Sequence, residues 1–172
     1  MPSLSIPPSD PSSNAIEAFA TNLPELVQAV DLARRRPVID LGQALLALGA
    51  MDLQTLDRIR ATDPERLRAR AHELVEQVLI SEDDFHHALT RVAGLVEVDA
   101  ARFELDRHAF DVLPLREARW HDVLPLGPAL DHFIVASWKP TSDDLLRQLC
   151  TVTGHSVLLV WGERGAIQGR LA

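Results

Sequence analysis

The hydrophobic period of this chain changes once, near Gly94, and that change constrains the fold more than any other feature. Before Gly94, apolar residues recur every three or four positions, as in amphipathic helices. After Gly94, short apolar runs such as residues 133–137 and 156–161 have the length of strands. We therefore predict an α+β fold. An N-terminal helical bundle subdomain is followed by a small α/β subdomain, which has a short mixed sheet and two or three helices.

The same change sets the predicted boundaries. Residues 1–13 are rich in Pro and Ser and should form a disordered segment, because they cannot bury enough surface to order themselves. Residues 14–94 form the helical subdomain and residues 95–172 the α/β subdomain. The chain has 172 residues and 47% of them are hydrophobic, which is enough for one unit with a core or two small packed subdomains.

Capping residues divide the helical half into segments. Asp, Ser and Asn stabilise a helix start through their side-chain oxygens, and Gly ends a helix where positive φ is required. The first predicted helix covers residues 14–36 and is broken at Pro24. The later helices are predicted to start at Asp40, Asp52, Asp63 and Ser81, with helix ends at Gly49 and Gly94.

The second half predicts the order β-β-α-β. A short helix stops at Pro114, and residues 121–126 pair with residues 133–137 in a hairpin. Its connection of four to six residues is placed around Gly127. Thr141 is predicted to open a helix that Gly154 closes, before the last strand at 156–161 and a last helix within 162–171.

Composition excludes several functional classes. The net charge is −8 and the pI is about 5.3, so we expect neither a DNA nor an RNA partner. The single cysteine, Cys150, allows no disulfide within the chain and fits a reducing cytoplasm. No apolar run reaches the length of a membrane span, so we predict a cytoplasmic protein without direct membrane insertion.

The sequence predicts neither catalytic nor metal-ligating residues. Adjacent pairs such as His86-His87, His121-Asp122 and Asp131-His132 lack the i, i+4 spacing that aims two ligands at one ion. The triplet at residues 34–36 is interpreted as a complement to a helix dipole, with a phosphate or acidic-lipid contact as the alternative. Core or strand-end positions are expected for Trp120, Trp138 and Trp161, with Trp138 as an alternative exposed anchor for a protein partner.

Gly42 carries the sharpest signal in the helical half. Leu41, Leu45 and Leu48 share one helical face, and Gly42 lies inside that helix. A glycine in a helix interior costs about 1 kcal/mol relative to alanine. Gly42 therefore indicates that a neighbouring helix or a flat ligand lies close to the backbone.

These residues belong to a recognisable pattern. The run Leu41-Gly-x-x-Leu-x-x-x-Gly49, with Leu56 seven residues later, resembles the repeat Leu-Gly-x-x-Leu-x-x-x-Gly-x6-Leu-x3-Leu-x2-Gln. That repeat belongs to the N-terminal domains of type II secretion and type IV pilus assembly ATPases, the GspE/PilB group. The passages at 79–85 and 94–99 are similar to the family's next motifs, and residues 37–165 follow the family's order.

The resemblance implies an adaptor without its motor. The family's ATPase domain follows this one, but the chain contains no Gly-x4-Gly-Lys-[Ser/Thr], and Lys139 lacks a glycine-rich loop. We therefore predict no enzymatic activity. The resemblance implies a protein partner in a secretion, pilus or polysaccharide-export machine, with recruitment to the inner-membrane face through that partner.

Cyclic di-GMP is the only ligand that the resemblance implies, because MshEN-type members of the family bind it. The second repeat departs from the pattern, with Ala71 and Val78 at glycine positions, and Asp40 stands where relatives often have Arg. Two hypotheses stay open: a non-enzymatic interaction module, or a cyclic di-GMP receptor with a degenerate second repeat. The implied ligand residues are Leu41, Gly42, Leu45, Gly49, Leu56, Arg68, Arg70, Leu74, Phe85 and Leu89.

Overall fold

A computed structural model of the protein describes residues 19–62, 73, 75–77 and 80–172. The helical half contains α1 (Leu23–Ala33), α2 (Leu41–Ala47), α3 (Leu53–Thr62) and α4 (Glu82–Val92). The second half contains α5 (Ala109–Val112), α6 (Leu115–His121), β1 (Val123–Ala129), β2 (His132–Ser137), α7 (Asp143–Thr153), β3 (Val157–Trp161) and α8 (Arg164–Leu171). The predicted disordered segment 1–13 and most of the helix predicted to start at Asp63 lie outside the described residues. Within that helix, the Gln77 amide donates to the Glu73 carbonyl at 2.9 Å.

A three-stranded mixed sheet organises the second half. Its order is β1-β2-β3, with β1 antiparallel to β2 and β2 parallel to β3. Single bridges continue it: Glu97 pairs with Trp161, and Ala20 with Val98. The predicted α+β class and the mixed sheet are confirmed.

The predicted caps explain why α2 and α4 form where they do. The Asp40 carboxylate accepts from the Gln43 amide at 2.8 Å, and the Gln43 side chain accepts from the Asp40 amide at 3.0 Å. Such a capping box satisfies two helix-end donors at once. The Ser81 hydroxyl accepts from the Asp84 amide at 3.0 Å in the same way. Both helices end at a glycine with positive φ, +68° at Gly49 and +66° at Gly94.

Two predictions about helices are wrong, and one helix was not predicted. Pro24 does not break a helix, because α1 starts at Leu23 and Pro24 occupies its first turn behind the Asn22 cap. Ser142 rather than Thr141 caps α7, accepting from the Leu145 amide. Helix α6, directly after Pro114, was not predicted, since its apolar positions are few and its surface is largely polar.

The predicted hairpin exists, but its turn lies elsewhere. Ala129 pairs with His132, so the connection consists of Leu130 and Asp131 alone, with φ of +52° and +58°. Two consecutive positive φ values are the signature of a type I′ turn. Gly127, predicted as part of the turn, instead lies in β1 at a shift in strand register.

The described residues form two hydrophobic cores. The larger surrounds the sheet and includes Leu26, Val30 and Ala33 of α1. The smaller is formed by α2, α3, α4 and the residues next to them. Helix α1, placed by the sequence in the helical subdomain, thus packs into the core of the α/β half. The predicted boundary between residues 94 and 95 stays a prediction.

Candidate functional site

The predicted ligand residues that the structure describes lie in or beside α2, α3 and α4, and most of them contribute to the smaller core. Most of these described side chains are buried there, and Leu45 and Leu56 are fully inaccessible. Gly42 is buried within α2, whereas Gly49 is exposed at its end. The buried side chains are Leu41, Leu45, Leu56 and Phe85, with Leu89 partly buried against them, and Arg68, Arg70 and Leu74 lie outside the described residues.

A cavity of about 500 Å³ opens at the edge of this core. It lies between the end of α1, the following connection and the end of α4, and three arginines contribute to its lining. Apolar side chains line it as well. The six residues important for its chemistry are Arg34, Arg36, Arg91, Val38, Ile39 and Val92.

Local structure places these groups. Arg34 is the C-cap of α1 and its amide donates to the Val30 carbonyl, and the Arg36 amide donates to the Ala33 carbonyl at 3.2 Å. On the facing side, the Leu95 amide donates to the Thr90 carbonyl at 3.1 Å, which closes α4 just beyond Arg91. Guanidinium groups beside apolar walls suit a planar anionic ligand, since guanidinium pairs with phosphate and stacks on aromatic rings.

Seven of the ten predicted ligand residues lie in the part of the chain that the structure describes, and none of these seven lines this cavity. From the sequence, Arg34 and Arg36 were interpreted through the helix dipole, with a phosphate or acidic-lipid contact as the alternative. The signal that pointed here is the triplet at residues 34–36 directly before Pro37, because a chain bend brings such a triplet against another element. No sequence pattern identified Arg91, whose position depends on how α4 packs.

Next to the cavity, α4 is joined to the sheet through buried Glu97. His87 forms a short hydrogen bond with the Glu97 carboxylate, and Arg91 Nε lies 3.1 Å from the same oxygen. Burial by itself raises the pKa of Glu97, but the hydrogen bond from His87 and the positive charge of Arg91 outweigh it and hold the pKa below its usual value. The His87 ring also stacks on Trp161, with centroids 3.6 Å apart. Glu97, His87, Arg91 and Trp161 are called the Glu97 clasp below.

Trp138 forms a second contact between the halves. Its indole nitrogen donates to Asp122 at 3.1 Å, and the Arg164 guanidinium lies over its ring at 4.2 Å. His86 of α4 meets the same ring edge-on, with centroids 5.3 Å apart. Trp138 is only 4% exposed, so the alternative prediction that it is an exposed anchor is wrong.

Trp120 behaves in the opposite way. Its side chain on α6 is 82% exposed, so the prediction of a core or strand-end position is wrong for this residue. The prediction holds for Trp161, which is 8% exposed at the end of β3. Sequence spacing could not separate the three tryptophans, because their burial depends on which elements pack over them.

The histidines form no recognisable metal centre in the part of the chain that the structure describes. No group of three His, Cys, Asp or Glu side chains there is placed to hold a metal ion. Within the same residues, no helix combines the length and the apolar composition needed to cross a bilayer.

Together these features define a small α+β domain in which a helical core docks on a mixed sheet. Residues 93–172 match the model of the MshEN domain. The chain is similar to the structure of MshE with cdg, with a TM-score of 0.54, 19% identity, and coverage of 77% of this chain and 96% of that chain. It is also similar to the structure of the N-terminal domain of XpsE, with a TM-score of 0.46, 25% identity, and coverage of 75% and 90%. No curated protein matches the chain.

The predicted resemblance is therefore confirmed. Residues 93–172 match the model of the MshEN domain, and the chain resembles the N-terminal domains of secretion and pilus ATPases. The MshE likeness supports the fold over most of the chain, including part of the helical half. The matches are to N-terminal domains and not to the catalytic ATPase domain.

Proposed function

We propose that this protein is a non-enzymatic interaction module that docks on a component of a secretion, pilus or polysaccharide-export machine. The observation that carries the proposal is the MshEN match over residues 93–172 in a chain without a nucleotide phosphate loop. A module whose residues contain no such loop acts through what it contacts. The Glu97 clasp and the Trp138 contacts support the proposal, because they hold both halves as one surface for a partner.

Affinity purification of the tagged chain from its native cells, after mild cross-linking, tests this function. We expect enrichment of one component of such a machine, followed by direct binding between the two purified proteins. The module should hydrolyse no ATP, alone or with that partner. Enrichment of no machine component, or ATP turnover that survives repurification, would contradict the proposal.

The cavity beside α4 favours a second candidate, binding of cyclic di-GMP. This ligand carries two phosphates and two planar guanines, which match guanidinium groups next to apolar walls. Arg34 and Arg36 contribute such groups, and Val38 and Ile39 contribute apolar surface two positions and one position before Asp40. The cavity thus borders the start of the first repeat, whose Leu41 and Gly42 were predicted as ligand residues.

Titration calorimetry with cyclic di-GMP decides this candidate. We expect saturable binding that weakens about tenfold or more in Arg36→Ala, because one charge-assisted hydrogen bond contributes about 1.5–3 kcal/mol. Arg102→Ala is the matched control, since the Arg102 side chain is 82% exposed and outside the cavity. The absence of heat at high micromolar ligand, or equal loss in both variants, would exclude the cavity as the site.

A further inference from the structure

The most exposed aromatic surface in the described part of the chain is Trp120, whose side chain is 82% exposed. Tryptophan is among the residues that contribute most to protein interfaces, because its large ring buries much area at low entropic cost. An indole left in water on a small domain therefore marks a surface that a partner covers.

Two hollows flank the ring. On one side, Trp120 and α7 border a hollow of about 610 Å³ lined by Gln148, Thr151 and Val152. On the other side, a hollow of about 620 Å³ is bounded by α6 itself, at Arg116 and Arg119. The indole thus forms a ridge between two depressions, and a partner side chain can enter on each side of it. The surface formed by Trp120 and the residues of both hollows is called the α6–α7 face.

Helix α6 holds this ridge in place. Ala118 on its inner side is fully buried in the larger core. The Arg119 guanidinium donates to the carbonyls of Leu171 and Ala172 at 2.6 and 3.1 Å, which ties α6 to the end of α8. Anchors on rigid elements lose less entropy on binding than anchors on loops. Trp120 is therefore displayed in a fixed position.

The charge of the α6–α7 face differs in sign from that of the chain. Its side chains include Arg116, Arg119 and Arg147 against Glu117 and Asp144, which is three positive charges and two negative, in a chain with net charge −8. Arg147 is paired with Asp144, and Arg119 is engaged by backbone carbonyls.

Arg116 lies one helical turn before Trp120, is exposed, and forms no ion pair with any described residue. Hydrogen bonds to carbonyls do not cancel the charge of Arg119, so Arg116 and Arg119 together outweigh Glu117 and the net charge next to the indole is positive. An acidic side chain of a partner can pair with Arg116 there. An apolar side chain can pack against the indole ring and enter the hollow beside α7.

We propose that the α6–α7 face docks an acidic amphipathic segment of the machine component, with its apolar side chains on Trp120 and a carboxylate on Arg116. The inference rests on the proposed interaction function and adds to it the surface and the chemistry of the partner. Hydrophobic contact through the indole supplies most of the affinity, and the charge pair sets the register of the segment.

The test places the photo-cross-linker p-benzoylphenylalanine at Gln148 in the full chain, inside native cells. Gln148 lines the hollow beside Trp120, so the indole stays intact. We expect an adduct with one machine component, through a peptide rich in acidic and apolar residues. The adduct yield should fall about tenfold in Trp120→Ala and in Arg116→Glu. Replacing an acidic residue of the cross-linked peptide by Arg, at the position that pairs with Arg116, should restore the yield of Arg116→Glu.

Leu53→Ala is the matched control, because Leu53 is also an exposed apolar side chain, 60% accessible, on the helical half. Its adduct yield should not change. An adduct with a second copy of this chain, an adduct with residues 1–18 of the same chain, or a yield that Trp120→Ala leaves intact would each overturn the docking proposal. If affinity purification still enriches a machine component in that case, only the surface is wrong. If it enriches none, the proposed function fails as well.

Discussion

At the scale of single residues, Glu97 shows how a buried charge can join two halves of a domain. Its side chain is 3% exposed and would be costly to ionise without compensation. His87 and Arg91 provide that compensation from α4. The Glu97 backbone itself forms a bridge with Trp161, the last residue of β3. Loss of this carboxylate would remove the acceptor that His87 and Arg91 share, so the whole clasp depends on it.

Glu97→Gln should destabilise the protein by about 1–3 kcal/mol at pH 7, since the amide keeps the shape but loses the charge. The pKa of Glu97 is lower in the folded state than its ordinary value of about 4.5. Its stabilising effect is therefore fully present above that value and is lost as the pH falls through the folded pKa.

Urea unfolding of wild type and Glu97→Gln across this pH range measures the effect. The difference in free energy of unfolding should shrink toward zero in acid, where both side chains are neutral. Asp57→Asn on the exposed surface of α3 is the control and should change little at either pH. A Glu97→Gln difference that is the same at pH 7 and in acid would show that the charge of Glu97 contributes nothing.

At the scale of elements, helix ends were predictable and side-chain partners were not. Asp40, Ser81 and Gly94 act on atoms within a few residues, so local sequence determines them. The turn of the β1–β2 hairpin was misplaced because Gly127-Pro128 has the usual composition of a turn, whereas Leu130 adopts a positive φ that local preference disfavours. The position of this turn is therefore set by the packing of β1 and β2 in the larger core, and not by the local preference of the turn residues.

Gly127 has a specific role within β1. Its φ is +129°, and a Cβ there would lie 3.0 Å from Asp106 Cβ and 3.2 Å from Leu23 Cδ1. Gly127→Ala should therefore destabilise the protein by about 2–4 kcal/mol, from backbone strain and from displacement of both neighbours.

Gly94→Ala is the matched comparison. Gly94 also has positive φ, +66°, but an added Cβ meets nothing within 4 Å. Gly94→Ala should lower the free energy of unfolding by about 1 kcal/mol, because only the positive φ disfavours the alanine. Chemical unfolding of both variants measures the two values. Equal losses of stability in the two variants would show that the close approach of Asp106 and Leu23 to Gly127 adds no cost.

At the scale of the whole molecule, the two cores raise the question of which elements unfold together. The sequence placed all early helices in one subdomain because they share one period. Packing divides them: Leu26 of α1 lies in the larger core and Leu45 of α2 in the smaller one. Periodicity reports the type of an element but not the core that it joins, since the partner of an apolar face depends on contacts distant in sequence. For the same reason, the sequence could name the residues of the first repeat but not the cavity beside α4 or the exposure of Trp120.

Leu26→Ala and Leu45→Ala test the division directly, because both side chains are 0% exposed and lose the same atoms. Each should cost about 2–5 kcal/mol. In hydrogen exchange, we expect Leu26→Ala to speed exchange in β1, β2 and β3, and Leu45→Ala to speed it in α2 and α4 while the sheet stays protected. This pattern would show that α1 unfolds together with the sheet as part of the larger unit. The residues between α1 and the sheet in sequence would then form the smaller unit. Uniform acceleration in both variants would instead mean that the Glu97 clasp and the Trp138 contacts couple the two cores so tightly that the molecule opens only as a whole.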